Sequence, residues 1–101
     1  MKETIEILIK SKHVNYRGKV FGRVQGVGFR AWTKKIAKKY QLNGWVKNCK
    51  DNTLEFEIFG EEKKIKKFIE ECYKGPIFSK VLKIDLSIVS YSEHKNFEIK
   101  I

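Results

Sequence analysis

Apolar residues recur along this chain at two different spacings. Between Tyr16 and Val24, the small or apolar positions Val20, Gly22 and Val24 alternate with their neighbours, the period of two expected of a strand. The period then changes. Phe29, Trp32, Ile36 and Tyr40 recur at helical spacing across Phe29–Gln41, with Lys34, Lys35, Lys38 and Lys39 on the opposite side. Asn43-Gly44 supplies a stop signal. Trp45–Asn48 and Thr53–Phe59 read as two short strands around Cys49–Asn52, and Leu54, Phe56 and Ile58 alternate with Glu55 and Glu57 in the second. Glu61–Lys74 is a second helix, with Ile65, Phe68, Ile69 and Cys72 at i, i+3, i+4 and i+7. Glu61 and Glu62 sit in its first turn, where the helix dipole favours anions, and Gly75-Pro76 ends it. Val81–Val89 forms a strand with Leu82, Ile84, Leu86 and Ile88 on one face, and Phe97, Ile99 and Ile101 form the last. Residues 1–14 fit two patterns. Ile5, Ile7 and Ile9 alternate as in a strand, while Ile5, Leu8 and Ile9 share a helical face.

The order β-α-β-β-α-β followed by a terminal strand is the split βαβ arrangement of ferredoxin-like folds. It predicts an α+β sandwich: a mostly antiparallel sheet, two helices on one face and an extra C-terminal strand. A length of 101 residues allows one domain and excludes tandem catalytic domains or a full doubly wound nucleotide fold.

Charge narrows the partner. The chain holds 22 Lys+Arg and 12 Asp+Glu, a formal net charge of +10. Residues 1–52 carry 13 basic and 3 acidic side chains, whereas residues 53–101 carry 9 of each, so the whole excess lies in the first half. That asymmetry suggests an anionic partner met by the first half. Cys49 and Cys72 form no CxxC pair, and His13 and His94 lie far apart in sequence, so neither a disulfide framework nor a metal-ligand motif is indicated. Both histidines read as surface residues, and Cys72 as a small core residue. No apolar run reaches the ~18–20 residues that span a bilayer, and the acids within the first ten residues do not suit a signal peptide. A cytoplasmic location with reduced thiols is the resulting expectation.

The junction between the first strand and the first helix holds the candidate chemistry. It reads Gly22-Arg-Val-Gln-Gly26-Val-Gly28-Phe-Arg30. Closely spaced glycines let the backbone curl tightly, and successive amides in such a curl form an anion-binding concavity. The helix that follows adds unpaired N–H groups and the positive end of its dipole. Arg30, in its first turn, presents a planar fork of donors suited to phosphate. A P-loop is excluded because no Gly-Lys-Ser/Thr ending exists. Gly26-Val-Gly-Phe-Arg-Ala31 satisfies the loose dinucleotide pattern, but a hairpin follows its helix where a parallel βαβ series is required. The second candidate is Asn48, at the end of Gly44-Trp-Val-Lys-Asn48, whose uncharged acceptor and donors suit holding a water molecule. Lys47 and Lys50 flank it and could steer an anion inward. A phosphocysteine mechanism fails, because the Arg needed six residues after the cysteine is Glu55 after Cys49 and Phe78 after Cys72.

Taken together, Gly22–Arg30 followed by Gly44–Asn48 resembles the acylphosphatase family. Gly75-Pro-Ile-Phe-Ser-Lys-Val81 is similar to a loop of that family, and Phe97-Glu-Ile to its terminal strand. The resemblance covers residues 16–101 and leaves residues 1–15 as an N-terminal extension of uncertain structure. It implies hydrolysis of an acyl phosphate to a carboxylate and inorganic phosphate, with no metal and no cofactor. It further implies that backbone amides of Arg23, Val24, Gln25, Gly26, Val27, Gly28 and Phe29 cradle the phosphoryl group, that Arg30 binds its oxygens and that Asn48 positions the attacking water. One departure is that the usual Asp-Gly after the Asn segment is Asp51-Asn52 here. Asn tolerates positive φ better than most residues, so the turn should survive. A monomer is expected, with no membrane partner. Two alternatives stand beside this reading. One is a small basic nucleic-acid-binding module of the same fold, disfavoured because the RNA-recognition signature is absent. The other is a regulatory domain that binds phosphate without turnover, against which Arg30 and Asn48 both speak.

Overall fold

The computed structural model describes residues 12–101. Seven elements follow one another: β1 (His13–Arg23), α1 (Phe29–Lys39), β2 (Asn43–Asn48), β3 (Leu54–Glu61), α2 (Glu62–Lys74), β4 (Lys80–Ile88) and β5 (Phe97–Ile99). β1 begins three positions before the predicted start, because His13, Val14 and Asn15 pair with Glu61, Gly60 and Phe59 of β3. The alternation of Ile5, Ile7 and Ile9 lies outside the described residues.

The five strands form one sheet in the order β4-β1-β3-β2-β5. Every neighbouring pair is antiparallel except β2 and β5, which run parallel from Gly44↔Phe97 to Val46↔Ile99. The fold is therefore the expected ferredoxin-like sandwich with a mostly antiparallel sheet. Strand alternation sorts the side chains by face. Val20, Val46, Leu54, Phe56, Ile58, Ile84 and Phe97 turn toward the helices and are buried there with Ile36, Ile65, Phe68 and Cys72. The Phe56 ring lies so close to β1 that a Cβ on Gly18 would stand 2.2 Å from it. Burial among apolar side chains pushes the Cys72 thiol up, consistent with an inert core residue.

Three details depart from the periodic reading. The buried positions of α1 are Phe29, Thr33, Ile36 and Ala37, while Trp32 and Tyr40 pack at its margin. Thr33 tolerates burial because its hydroxyl donates to the Phe29 carbonyl at 2.8 Å. In β4 only Ile84 of the predicted apolar face is buried, and Leu82, Leu86 and Ile88 remain exposed. β4 is an edge strand, and α2 does not extend far enough sideways to cover it. Finally, Ile101 lies beyond the last strand and is exposed.

To join β4 to β5, residues 89–96 must cross from one sheet edge to the other. They are tied down on the way by Val89 N–H to the Asn15 carbonyl (3.0 Å), Asn43 Nδ2 to the His94 carbonyl (2.9 Å) and Gly44 N–H to the Asn96 carbonyl (2.8 Å). This crossing corrects the surface reading of His94. Its Nε2 lies 2.6 Å from Oε2 of the buried Glu57, which also accepts from Asn15 Nδ2 at 3.0 Å, and whose Oε1 accepts from Arg17 Nη2 at 2.7 Å. Burial pushes the Glu57 carboxyl up, but the Asn15, Arg17 and His94 hydrogen bonds outweigh it and hold the group below its ordinary value. His13 is exposed, as expected.

Candidate active site

The crossing segment occupies one end of the sheet, and the glycine-rich junction lies at the other. There β1, β2 and β5 all finish, and the chain leaves Arg23 for the N-terminus of α1. Two residues of the junction take left-handed backbone, Gly26 at φ 72° and Gly28 at φ 78°. A Cβ at either glycine would project into open space, so side chains are excluded there by backbone conformation and the space beside the loop stays clear. Gln25 anchors the curl from beneath. Its Nε2 donates to the carbonyls of Cys49 (2.8 Å) and Thr53 (2.9 Å), which fastens the loop to the β2–β3 turn.

That turn keeps its shape without Asp-Gly. Asn52 adopts φ 68°, and Asp51 Oδ1 accepts from Thr53 N–H at 3.2 Å and from the Thr53 hydroxyl at 2.5 Å. These bonds to Thr53, together with Lys19 Nζ 2.9 Å from the other carboxylate oxygen, hold the Asp51 carboxyl well below the usual carboxylate range.

Gly28 is the N-cap of α1, and the first helical bond runs from Trp32 N–H to the Gly28 carbonyl at 3.0 Å. The amides of residues 29–31 are therefore unpaired by the helix, and the first turn holds no acidic residue to answer them. Arg30 stands among these amides. Its Nη1 donates to the Lys100 carbonyl at 3.2 Å, and Lys100 is itself pinned by its N–H to the Val46 carbonyl at 2.8 Å. The remaining guanidinium donors are left for another acceptor.

These groups enclose a cavity of about 270 Å³ lined by Val24, Gly26, Gly28, Phe29, Arg30, Ala31, Asn48 and Ile99. Asn48 reaches it as the last residue of β2, on the helix side of the sheet with Val46. Its Oδ1 is buried and has no hydrogen-bond partner among the described residues. Buried amide oxygens are nearly always paired, so Oδ1 marks a polar contact that the surrounding chain does not make itself. The cavity is thus lined by the glycine-rich backbone, the start of α1, one guanidinium residue and one uncharged amide residue, with no carboxylate in its lining. An anion of tetrahedral shape suits that arrangement.

Six of the nine candidate residues line the cavity. Arg23 is exposed at the end of β1, Val27 packs against the core, and the Gln25 side chain is committed to the turn. Lys47 does not flank the cavity as expected. Strand alternation sends it to the opposite face of the sheet, where its Nζ lies 3.6 Å from Glu55 and over the Trp45 ring. Ile99 and the Lys100 carbonyl were not legible as parts of a site. They belong to β5 and its exit, and only the parallel pairing of β5 with β2 brings them to Arg30. Among the described residues, no three His, Cys, Asp or Glu side chains gather as metal ligands would.

The acylphosphatase family model matches residues 16–99. An acylphosphatase from Clostridium acetobutylicum is 45% identical over 85 residues, covering 83% of this chain and 93% of that protein. Among solved structures, an acylphosphatase from Bacillus subtilis superposes with a TM-score of 0.84 at 40% identity, covering 87% of this chain and 99% of the other. An acylphosphatase from Coxiella burnetii gives a TM-score of 0.84 at 30% identity, with coverage of 87% and 93%.

Proposed function

The chain belongs to the acylphosphatase family, and on that premise we propose that its reaction, hydrolysis of an acyl phosphate to a carboxylate and inorganic phosphate, runs in the Arg30–Asn48 cavity. One observation carries the assignment: Arg30, the free amides at the start of α1 and Asn48 converge on one small cavity.

In this reading the phosphoryl oxygens rest against the amides of the Gly26–Gly28 curl and of the α1 N-terminus. Arg30 grips two of them with the donors not used by Lys100. Asn48 accepts a hydrogen bond from water and holds its oxygen in line with the phosphorus. The water oxygen bonds to phosphorus, the bond from phosphorus to the acyl oxygen breaks, and its electron pair leaves with the carboxylate. The proton lost by water passes to solvent or to phosphate. Phosphoryl transfer of this kind depends on alignment and on stabilising charge spread over the equatorial oxygens, which fixed amides and a guanidinium supply. A mixed anhydride releases a stable carboxylate, so no strong acid is required at the leaving group. The positive groups of the site come from the chain itself.

We place the catalytic unit within residues 16–101, on a sheet whose first strand already begins at His13, so that the extension ends before that residue. No helix among the described residues is long and apolar enough to cross a membrane, and the two free cysteines suit a reducing compartment such as the cytoplasm.

The polyanion reading finds less support. On the helix-free sheet face Arg17 pairs with Glu57, Lys47 with Glu55 and Lys83 with Asp85, so the cations of that face are largely answered. The deciding experiment is hydrolysis of benzoyl phosphate in the presence of a metal chelator, with inorganic phosphate as competitor. Turnover that phosphate inhibits supports the assignment, and a rate equal to the spontaneous one removes it.

A further inference from the structure

A second cavity, of about 470 Å³, lies along the groove between α2 and β4. Its floor is apolar: Tyr16, Ile65, Ile69, Tyr73 and Leu86. Leu86 and Tyr73 are 44% and 47% exposed, and Ile88, the next residue on the same face of β4, is 72% exposed. None of these residues lines the Arg30–Asn48 cavity. An apolar strip of this kind on a small domain marks a surface that something covers.

We infer that the groove is covered by this chain's own residues 1–11. Three observations select that occupant. The first is position. Lys12 Nζ lies 3.4 Å from Glu62 Oε1, and Glu62 and Tyr16 both line the groove, so the segment joins the described chain at the mouth of the groove. The second is length. From Glu62 to Tyr73 the groove follows eleven helical steps of α2, about 16 Å. Eleven residues span about 16 Å as a helix and about 36 Å extended, so the segment can turn back at Lys12 and reach the far end. The third is chemistry. Ile5, Leu8 and Ile9 share one face at helical spacing, and Ile5, Ile7 and Ile9 share one at strand spacing, so either conformation presents aliphatic side chains to the floor. The segment carries Lys2 and Lys10 against Glu3 and Glu6, and the groove's rim carries Lys63 and Lys66 against Glu62 and Glu70. Both are neutral, which suits apolar burial between them and does not suit a polyanion at this rim.

The test uses the full chain with methyl-labelled Ile and Leu. Nuclear Overhauser contacts between methyls of Ile5, Leu8 or Ile9 and those of Ile65, Ile69 or Leu86 are expected. A sample mixed from two differently labelled chains must show them within one chain. Contacts found only between chains, with a mass that rises with concentration, would assign the groove to a second copy and overturn the inference, as would the absence of contacts. Leu8→Asp and Leu86→Asp probe the two sides of the same contact. Each should speed trypsin cleavage after Lys10 by on the order of tenfold, because cleavage tracks the undocked population. Unchanged cleavage in both variants would also overturn it.

Discussion

Arg30 and Lys100 are seventy positions apart, yet the Arg30 guanidinium donates to the Lys100 carbonyl at 3.2 Å. The bond spans the gap between the first helix and the end of the last strand, and it aims the one arginine of the cavity. In the proposed reading, removing the guanidinium removes a ligand for phosphate and one of the two hydrogen bonds that hold Lys100. Arg30→Ala is expected to lower kcat/KM for benzoyl phosphate by at least ~10²–10³-fold and to weaken inhibition by inorganic phosphate. Arg30→Lys should recover little, since an ammonium cannot hold the Lys100 carbonyl and two phosphoryl oxygens in one plane. Steady-state kinetics with phosphate as competitor measures both.

Asn48 should behave differently. If it holds water and not the phosphoryl group, Asn48→Ala lowers kcat by roughly 10²–10³-fold and leaves KM nearly unchanged. Removing the unpaired Oδ1 should cost little stability, because an unsatisfied buried acceptor is itself unfavourable by about 1–3 kcal/mol. Kinetics and thermal melts on the same variant would separate the two effects. A large rise in KM would place Asn48 on the substrate instead.

Gly26 tests the cradle. At φ 72° an alanine strains the backbone by about 1–2 kcal/mol, and its Cβ enters the open space beside the loop. Gly26→Ala should thus lower the melting temperature by several degrees and also weaken phosphate binding. Isothermal titration with inorganic phosphate reads the second effect directly. Normal affinity would show that the phosphoryl group rests elsewhere.

The Glu57 cluster predicts a pH dependence of stability. Its carboxyl is held below the ordinary value of 4.5 in the folded chain, so between those two values the unfolded chain binds more protons. Stability is fully present above about pH 5 and falls as pH drops through the folded value. Glu57→Gln leaves the half-exposed Arg17 without its ion pair and should cost about 1–3 kcal/mol at pH 7. It should also flatten the acid limb of a melting-temperature profile. A profile as steep as that of the parent chain would assign the limb to other carboxylates such as Asp51, which is likewise held low.

Short-range order was readable without coordinates. The period of two along Leu54–Ile58 and the helical spacing of Ile65, Phe68 and Cys72 each follow from backbone geometry, so they state which side of an element is apolar. The same holds for the glycines at 26 and 28. Their left-handed backbone is a property of the local chain, and Arg30 follows two residues later on the helix they start. The pattern of elements was likewise enough for a sandwich with two helices on one side.

What stands beside what was decided by tertiary structure. No local rule says that β5 pairs parallel with β2, and on that pairing depend both the Lys100 carbonyl at Arg30 and the Ile99 wall of the cavity. Nor does one say that residues 89–96 cross the sheet end and bring His94 to Glu57. The apolar face of β4 shows the same limit, since alternation marks Leu86 and Ile88 as one face but not whether a helix reaches them. Periodicity records how a segment divides water from core, whereas partners are chosen by burying those faces against one another over distances the local chain does not encode.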